Sequence, residues 1–241
     1  MRIGINGSVF GWVWQSGGFK STTLLQFDMP LVAFDFDGTL SDSEMTVLLG
    51  ERCGVADEMA AITERAMNNE IEYAESLRSR VQLLAGLSGA DAKVAFERVT
   101  LRDGAAELLA ALDAAGVRTA ILTGGFERGV RFALEEAAVD VDTIVANRLA
   151  VEDRTLTGDV SGPLIEGTKD VALRALADDA GIPLGQTIAV GDGANDLPML
   201  RVAGYSIGFQ PKPAVVDACD VTVSSMAELR ELFVERDLLV T

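Results

Sequence analysis

The feature that most constrains the fold is an alternation of strand-like and helix-like segments after Asp103. Short apolar runs are followed by longer segments in which apolar residues recur every three or four positions. The predicted strands cover residues 117–122, 143–146, 187–190, 205–209 and 221–223, and the predicted helices cover residues 104–115, 127–138, 168–180, 194–202 and 226–236. Such alternation implies a parallel sheet with helices on both faces, which is a Rossmann-like, doubly wound α/β fold.

A block of helical pattern is inserted near the start of this fold. The apolar run at residues 31–34 predicts the first strand, and apolar residues then recur at helical spacing from Glu44 to about Arg98. Because this block separates the first strand from the later ones, it predicts an inserted α-helical cap. The predicted domains are a core made of residues 29–42 and 99–241 and a cap made of residues 43–98.

Two segments depart from the alternation. Residues 1–28 contain a single acidic residue, Asp28, whereas every other acid follows Met29. We therefore predict that residues 1–28 form a poorly ordered extension outside the fold. Residues 148–151 and 155–160 have strand-like patterns separated by a short polar turn, which predicts a small β-hairpin.

Composition and charge restrict the partners and the compartment. The formal net charge of −17 argues against binding to the phosphate backbone of nucleic acids. No apolar run approaches the ~20 residues that span a bilayer, and the N-terminus has no recognisable secretory signal. The two cysteines, Cys53 and Cys219, lack metal-ligand spacing and are interpreted as buried thiols in a reducing compartment. These observations predict a cytoplasmic protein with no nucleic-acid or membrane partner.

The basic residues consist of four lysines and sixteen arginines. An acidic, lysine-poor surface resembles that of proteins from salt-loving archaea, in which salt screens the repulsion between like charges. An ordinary acidic protein is the alternative. In either case the overall field repels an anion, so a site for an anionic substrate requires a local cation.

The first predicted strand ends in Asp35-Phe36-Asp37-Gly38-Thr39. Residues two apart on a strand share a face, so Asp35 and Asp37 are expected to lie side by side, and Gly38 allows the chain to turn. Two close carboxylates need a cation or a shared proton, and a divalent metal prefers such oxygen ligands. The pattern suits phosphoryl transfer, with one aspartate as nucleophile and the other as proton donor. Alternatively, it is only a turn, in which Asp and Gly are common.

Polar groups also follow other predicted strands. Thr123-Gly124-Gly125 offers a hydroxyl and backbone N–H groups to an anion, and the glycine-rich segment 191–196 adds the carboxylates of Asp192 and Asp196. Lys169 opens a predicted helix. Taken separately, these residues could be a loop, helix caps and a surface lysine. Ligands bind at the carboxyl ends of strands in open parallel sheets, so the convergence of these groups favours a single phosphate and metal site.

These motifs resemble those of the haloacid dehalogenase superfamily. Residues 35–39 are similar to its first motif, Thr123 to its second, Lys169 to its third and residues 191–196 to its fourth. The similarity spans residues 31–236 and narrows to the phosphoserine phosphatases. The further matches to that family are Glu44, Ala66-Met67-Asn68 and Ser76-Leu77-Arg78-Ser79-Arg80-Val81. The runs Thr123-Gly124-Gly125-Phe126, Ala146-Asn147-Arg148-Leu149 and Leu156-Thr157-Gly158-Asp159-Val160 also fit it.

The resemblance implies a role for each matched residue of the core. Asp35 would attack phosphorus and become an aspartyl phosphate, while Asp37 would protonate the leaving group and then activate water. Mg²⁺ would be held by the carboxylates of Asp35 and Asp192 and by the backbone carbonyl of Asp37. The implied phosphate-binding groups are Thr123, Gly124, Lys169 and Asn195, and Asp196 together with Asn195 would order the metal ligands and Lys169.

The resemblance also implies a substrate-reading set in the cap. Glu44 would bind an ammonium group, and Arg80 would bind a carboxylate in a bidentate manner. Met67 and Tyr73 would line the pocket. From the residues alone, Glu44 could equally be an exposed acid at a helix start, and Arg80 could lie on a solvated helix face.

The function that follows from the resemblance is Mg²⁺-dependent hydrolysis of O-phospho-L-serine to serine and phosphate, the last step of serine biosynthesis, by a monomer or homodimer. One alternative is a phosphatase for another small phosphate ester, and another is a phosphotransferase that passes the phosphoryl group to homoserine. A different class of protein, a non-catalytic module that binds a phosphorylated metabolite, would not need the nucleophile and acid that Asp35 and Asp37 supply.

Overall fold

The computed structural model describes residues 30–67 and 70–240. For Met67 it describes only the backbone. The extension predicted at residues 1–28 lies outside the described residues. The strands are β1 (Leu31–Phe34), β2 (Arg118–Phe126), β3 (Thr143–Glu152), β4 (Thr155–Ser161), β5 (Thr187–Gly191), β6 (Tyr205–Phe209) and β7 (Val221–Val223). They form a seven-stranded sheet in the order β4-β3-β2-β1-β5-β6-β7.

The sheet is parallel except at one edge. β1 pairs in parallel with β2 on one side and with β5 on the other, so it lies at the centre. At the edge, β3 and β4 are antiparallel and form the predicted hairpin. The expectation of a doubly wound parallel sheet with a small hairpin is therefore confirmed.

Burial on both faces explains why β1 is a continuous apolar run. Successive side chains of a strand point to opposite faces. Val32 and Phe34 pack into one hydrophobic cluster, whereas Leu31 and Ala33 pack into a second. Helices cover each cluster, so no position of β1 faces water, as is usual for strands of parallel sheets.

The helices of the described residues agree closely with the sequence pattern. They are α1 (Met45–Cys53), α2 (Ala56–Met67), α3 (Tyr73–Gln82), α4 (Gly89–Phe96), α5 (Ala105–Ala114), α6 (Glu127–Glu136), α7 (Lys169–Ala180), α8 (Leu197–Val202), α9 (Pro213–Val216) and α10 (Met226–Glu235). Buried residues of α5, α6 and α10 belong to the first cluster, and those of α7, α8 and α9 belong to the second. The helices therefore lie on both faces of the sheet.

Four details differ from the sequence-based expectation. Strand β2 continues to Phe126 and therefore includes Thr123-Gly124-Gly125, which were predicted to follow the strand. The predicted strand at 143–146 and the hairpin arm at 148–151 form the single strand β3, because this chain segment pairs first with β2 and then continues beside β4. The helix predicted at 194–202 begins as a 3₁₀ turn and becomes α-helical only at Leu197. Pro198 fits that start, since proline is tolerated in the first turn of a helix. The short helix α9 was not predicted.

Helices α1–α4 lie between β1 and α5, and we propose that they form the cap. The two chain segments that connect them to the sheet are joined by a bridge between Ser41 and Leu101. On the opposite side, the backbone N–H of Gly86 donates to the carbonyl of Leu156 in β4, and the N–H of Leu156 donates to the carbonyl of Leu87, both at 2.9 Å. The hairpin of the sheet thus supports these helices directly.

Two further observations concern the environment of the protein. Within the described ranges, no helix is both long enough and apolar enough to cross a membrane. Cys53 and Cys219 are free thiols, and burial raises the pKa of each. Neither thiol is therefore expected to be strongly nucleophilic at neutral pH.

Candidate active site

The centre of the candidate site lies where β1 and β5 end side by side. The backbone N–H of Asp35 donates to the carbonyl of Val190 at 2.9 Å, which aligns the chain after β1 with the chain after β5. Gly38 then turns with a φ of +92°, and a Cβ there would lie 2.7 Å from Oδ2 of Asp192. A side chain at position 38 would therefore push Asp192 away from the site. The sequence pattern around Gly38 thus permits the approach of Asp35 and Asp192.

Lys169 lies between two carboxylates beneath this turn. Its Nζ is 2.5 Å from Oδ1 of Asp35 and 2.6 Å from Oδ1 of Asp196, and all three side chains are buried. Burial lowers the pKa of Lys169, but the charges of Asp196 and Asp35 outweigh this effect and raise it above its usual value. Lys169 is therefore a fixed cation in the site and not the solvated lysine that the sequence alone allowed.

Asp196 organises the loop that follows β5. Its Oδ2 accepts hydrogen bonds from the backbone N–H groups of Asp192 and Gly193, each at 2.9 Å. Its Oδ1 accepts from Lys169 and, at 3.5 Å, from Nδ2 of Asn195. Both oxygens are thus engaged by protein donors. This arrangement supports the prediction that Asp196 orders the neighbouring groups.

Asp35, Asp192 and Asp196 form a buried acidic cluster. Each offers a carboxylate oxygen within 4.8 Å of the others, and the residues are 2%, 6% and 0% exposed. Burial and the neighbouring Asp196 carboxylate raise the pKa of Asp35 to about 8, although Lys169 acts in the opposite direction. An added cation would relieve this penalty. Oxygen donors with excess negative charge suit a hard divalent ion such as Mg²⁺. The carbonyl of Asp37 as a third ligand remains a prediction.

Asp37 lies on the other side of the same turn. Its Oδ1 is buried with no hydrogen-bond partner among the described residues, and a Cβ on Gly125 would lie 2.5 Å from its Oδ2. Burial and the negative charges of Glu44 and Asp35 raise the pKa of Asp37 well above its usual value. The side chain is therefore suited to carry a proton, and Gly125 leaves room for it beside β2.

The end of β2 brings Thr123 and Gly124 into the site. Oγ1 of Thr123 accepts the backbone N–H of Gly125 at 2.9 Å. Nδ2 of Asn147 donates to the carbonyl of Gly124 at 3.0 Å, and Oδ1 of Asn147 accepts from the N–H of Leu164 at 3.2 Å. Asn147 is fully buried and fixes the direction of the peptide group between Gly124 and Gly125.

Asn147 was not identified as a functional residue from the sequence. The available signal was a polar side chain within the apolar pattern of β3, because a buried amide in a strand must find specific partners. Lys212 was also missed. Its Nζ is 2.9 Å from Oδ2 of Asp192, and its backbone N–H donates to the Asp192 carbonyl at 2.8 Å. The sequence feature that could have identified Lys212 is the rarity of lysine, since the chain has only four.

The residues predicted to bind the substrate lie close to the acidic cluster, because the charges of Asp192 and Arg80 both act on Glu44. Glu44 precedes α1 and is exposed, yet partial burial of its carboxylate raises its pKa while Lys212 lowers it. Arg80 lies on α3, with Nη1 3.5 Å from Oγ1 of Thr46 and Nε 3.4 Å from the carbonyl of Ser76. Burial lowers the pKa of Arg80, and the charge of Glu44 counteracts it.

Tyr73, at the start of α3, reaches the end of β2, because its hydroxyl lies against Gly124. The side chain of Met67, which was predicted to line the pocket, lies outside the described residues. The structure thus brings Glu44, Arg80 and Tyr73 near one another and leaves Met67 as a prediction.

Comparisons with known proteins identify the family. The family model described as haloacid dehalogenase-like hydrolase matches residues 32–201. The chain belongs to this family. A phosphoserine phosphatase of Halobacterium salinarum is 56% identical over 201 residues, which make up 83% of this chain and 95% of that protein.

Solved structures of phosphoserine phosphatase are similar to this chain as well. One is a phospho-aspartyl intermediate analogue, with a TM-score of 0.78 and 36% identity over 85% of this chain and 98% of the solved one. Another is a substrate-bound phosphoserine phosphatase complex, with a TM-score of 0.77 and 36% identity over 85% and 97% of the two chains. The likeness therefore includes both the sheet and the inserted helices, because it spans nearly the whole of each solved chain.

Proposed function

We propose that this enzyme hydrolyses O-phospho-L-serine to serine and phosphate through an aspartyl phosphate on Asp35. The observation that carries the proposal is the buried contact of Asp35 with Lys169 inside the acidic cluster, with Glu44 and Arg80 close by. A site that only binds its ligand has no need for a buried carboxylate held against a lysine beside a second buried aspartate. The relatives described above, which are named phosphoserine phosphatases, support the same reaction.

The proposed first step uses Asp35 and Asp37. A carboxylate oxygen of Asp35 attacks phosphorus, the bond from phosphorus to the serine oxygen breaks, and Asp37 transfers its proton to that oxygen. The raised pKa of Asp37 is compatible with a proton donor at neutral pH. Thr123, the N–H of Gly124 and Lys169 stabilise the charge on the non-bridging phosphoryl oxygens.

The proposed second step releases phosphate. Asp37, now a carboxylate, removes a proton from a water molecule, whose oxygen attacks phosphorus. The bond between phosphorus and the Asp35 oxygen breaks, so Asp35 is regenerated and inorganic phosphate leaves. Asn195 and Asp196 hold the loop that carries Asp192 and keep Lys169 in place during both steps.

We assign Mg²⁺ to the acidic cluster, with Asp35, Asp192 and the carbonyl of Asp37 as the protein ligands. The donor set fits this ion because it is composed of oxygen atoms and carries excess negative charge. Asp196 is excluded as a ligand because both of its oxygens already accept hydrogen bonds. When bound, the ion supplies positive charge to an acidic protein that must admit an anionic substrate.

Replacement of Asp192 should remove magnesium binding. We expect Asp192→Asn to weaken the Mg²⁺ affinity of the substrate-free protein by at least about 100-fold, because a neutral amide replaces a charged ligand. Isothermal titration calorimetry measures this without substrate. Asp217→Asn, at an exposed carboxylate, is the matched control and should bind as the wild type does. Equal affinity of Asp192→Asn and the wild type would refute the assignment of Asp192.

We propose that Glu44 and Arg80 select an amino-acid phosphate by binding its ammonium and carboxylate groups. Arg80→Ala should therefore raise KM for phosphoserine about 10- to 100-fold, the range expected when a charge-assisted hydrogen bond is lost. The KM for p-nitrophenyl phosphate, which has no carboxylate, should change by less than about twofold. Arg78→Ala is the matched control, since Arg78 lies on the same helix but pairs with the exposed Glu166. Equal effects on both substrates would show that Arg80 does not read the carboxylate.

The proposed function is tested by phosphate release from a panel of phosphate esters. The panel contains L- and D-phosphoserine, phosphothreonine, a sugar phosphate and p-nitrophenyl phosphate, at low and at molar KCl because of the net charge of −17. The highest kcat/KM is expected for L-phosphoserine. A higher value for an ester without an amino-acid group would contradict the proposed substrate. Addition of homoserine, followed by detection of its phosphate ester, separates hydrolysis from phosphotransfer.

A further inference from the structure

The proposed mechanism assigns no role to the hydroxyl of Tyr73. Tyr73 is the first residue of α3, and its side chain extends from this helix to the end of β2. A Cβ on Gly124 would overlap the Tyr73 hydroxyl oxygen, so this oxygen lies in contact with the Gly124 backbone. Thr123 and Gly124 are the residues of β2 that are proposed to bind the phosphoryl group. The Tyr73 hydroxyl is thus next to the predicted phosphate position.

The surroundings of the hydroxyl are polar and charged. Tyr73 as a whole is 40% exposed, yet burial raises the pKa of its phenol, and the charges of Arg80, Lys169, Asp35 and Asp37 all influence it. The hydroxyl end, which contacts Gly124, therefore lies within reach of the charged groups of the site. A phenol in such a setting keeps its proton at neutral pH, so it can act as a hydrogen-bond donor.

An enclosed phenol hydroxyl normally has a hydrogen-bond partner. The Gly124 backbone that the hydroxyl contacts is the proposed phosphate-binding segment, and the fixed cation Lys169 is near enough for its charge to act on the phenol. A phosphoryl oxygen seated against the Gly124 N–H would lie next to the hydroxyl that contacts the same glycine. Arg80, which is proposed to bind the carboxylate of the substrate, lies about two turns further along the same helix.

We propose that the Tyr73 hydroxyl donates a hydrogen bond to a non-bridging oxygen of the substrate's phosphoryl group. This inference rests on one part of the proposed function, namely that the substrate is a phosphate monoester. Helix α3 then contacts both ends of phosphoserine, the phosphate through Tyr73 and the carboxylate through Arg80. A substrate that α3 contacts at both ends would stabilise this helix in the position that the structure shows.

Tyr73→Phe tests the proposal because it removes the hydroxyl and keeps the ring. We expect kcat/KM to fall about tenfold for both phosphoserine and p-nitrophenyl phosphate, since the phosphoryl group is common to both. The affinity for inorganic phosphate, measured by calorimetry in the presence of Mg²⁺, should fall by a similar factor. The matched control is Tyr205→Phe, because Tyr205 lies on β6 beneath the guanidinium of Arg236. It should behave as the wild type in all three measurements.

Each outcome of this experiment decides the proposal. Unchanged phosphate affinity and unchanged kcat/KM for both esters would mean that the hydroxyl only packs against Gly124, which would overturn it. A loss confined to phosphoserine would place the hydroxyl at the carboxylate end, which would also overturn it. If the wild type hydrolyses p-nitrophenyl phosphate but not phosphoserine, the proposed substrate fails, whereas the Tyr73 proposal is still decided by the phosphate titration and the nitrophenyl ester.

Discussion

Asp35→Asn is expected to lower kcat for phosphoserine by about four orders of magnitude or more, the scale seen when an enzyme loses its nucleophile. An amide has the size of the carboxylate but not its negative charge, so it cannot form the bond to phosphorus. The same loss is expected for p-nitrophenyl phosphate, because the bond to Asp35 does not depend on the leaving group. Phosphate release, followed over hours at high enzyme concentration, measures the residual rate.

The control for this variant is Asp42→Asn, which makes the same change at an exposed carboxylate a few residues further along the chain. It should retain the wild-type rate. The fold of Asp35→Asn should persist, because Lys169 keeps its contact with Asp196. Activity of Asp35→Asn within tenfold of the wild type, in a preparation free of the parent enzyme, would refute the assignment of Asp35 as the nucleophile.

Lys169→Met should produce the largest loss of stability among single substitutions at the site. The ammonium of Lys169 is the buried partner of both Asp35 and Asp196, and a methionine would leave two buried carboxylates uncompensated. Removing one partner from a buried ion pair costs about 3–5 kcal/mol. We expect the free energy of unfolding, measured with urea in the absence of Mg²⁺, to fall by about this amount. Hydrolysis should be lost as well, because the phosphoryl oxygens lose their fixed cation.

Lys93→Met provides the comparison. Lys93 forms an ion pair with Glu97 one helical turn away, and both side chains are largely exposed. Exposed pairs of this kind contribute about 0.3–0.5 kcal/mol, so this variant should unfold close to the wild-type denaturant concentration. If Lys169→Met and Lys93→Met unfolded at the same urea concentration, the buried cation would not stabilise the site.

The core of the site could be predicted from sequence because its residues follow strands. Asp35 and Asp192 come directly after apolar runs, and parallel strands bring their carboxyl ends to one edge of the sheet. Lys169 was identifiable by its position at the start of a helix together with its resemblance to a known motif. The turn at Gly38 could also be predicted from the sequence, since glycine permits the positive φ and the approach of Asp192.

The residues that sequence reasoning missed act through long-range contacts. Asn147 fixes the Gly124 carbonyl from a neighbouring strand, and nothing in the local pattern of β3 identifies that partner. Lys212 reaches Asp192 across the loop after β6. The full length of β3 was missed for a similar reason, because its continuation depends on pairing with two different strands. Such partners are set by the tertiary fold and not by periodicity.

The most direct test of the central claim is chemical trapping of the covalent intermediate. The wild-type enzyme is mixed with phosphoserine and Mg²⁺, quenched in acid and treated with borohydride, which reduces an aspartyl phosphate to homoserine. Mass spectrometry of the peptide that contains Asp35 and Asp37 then locates the change. We expect homoserine at position 35 only when phosphoserine is present, and none at position 37. An unmodified peptide under turnover conditions, or homoserine at another aspartate, would contradict the proposed mechanism.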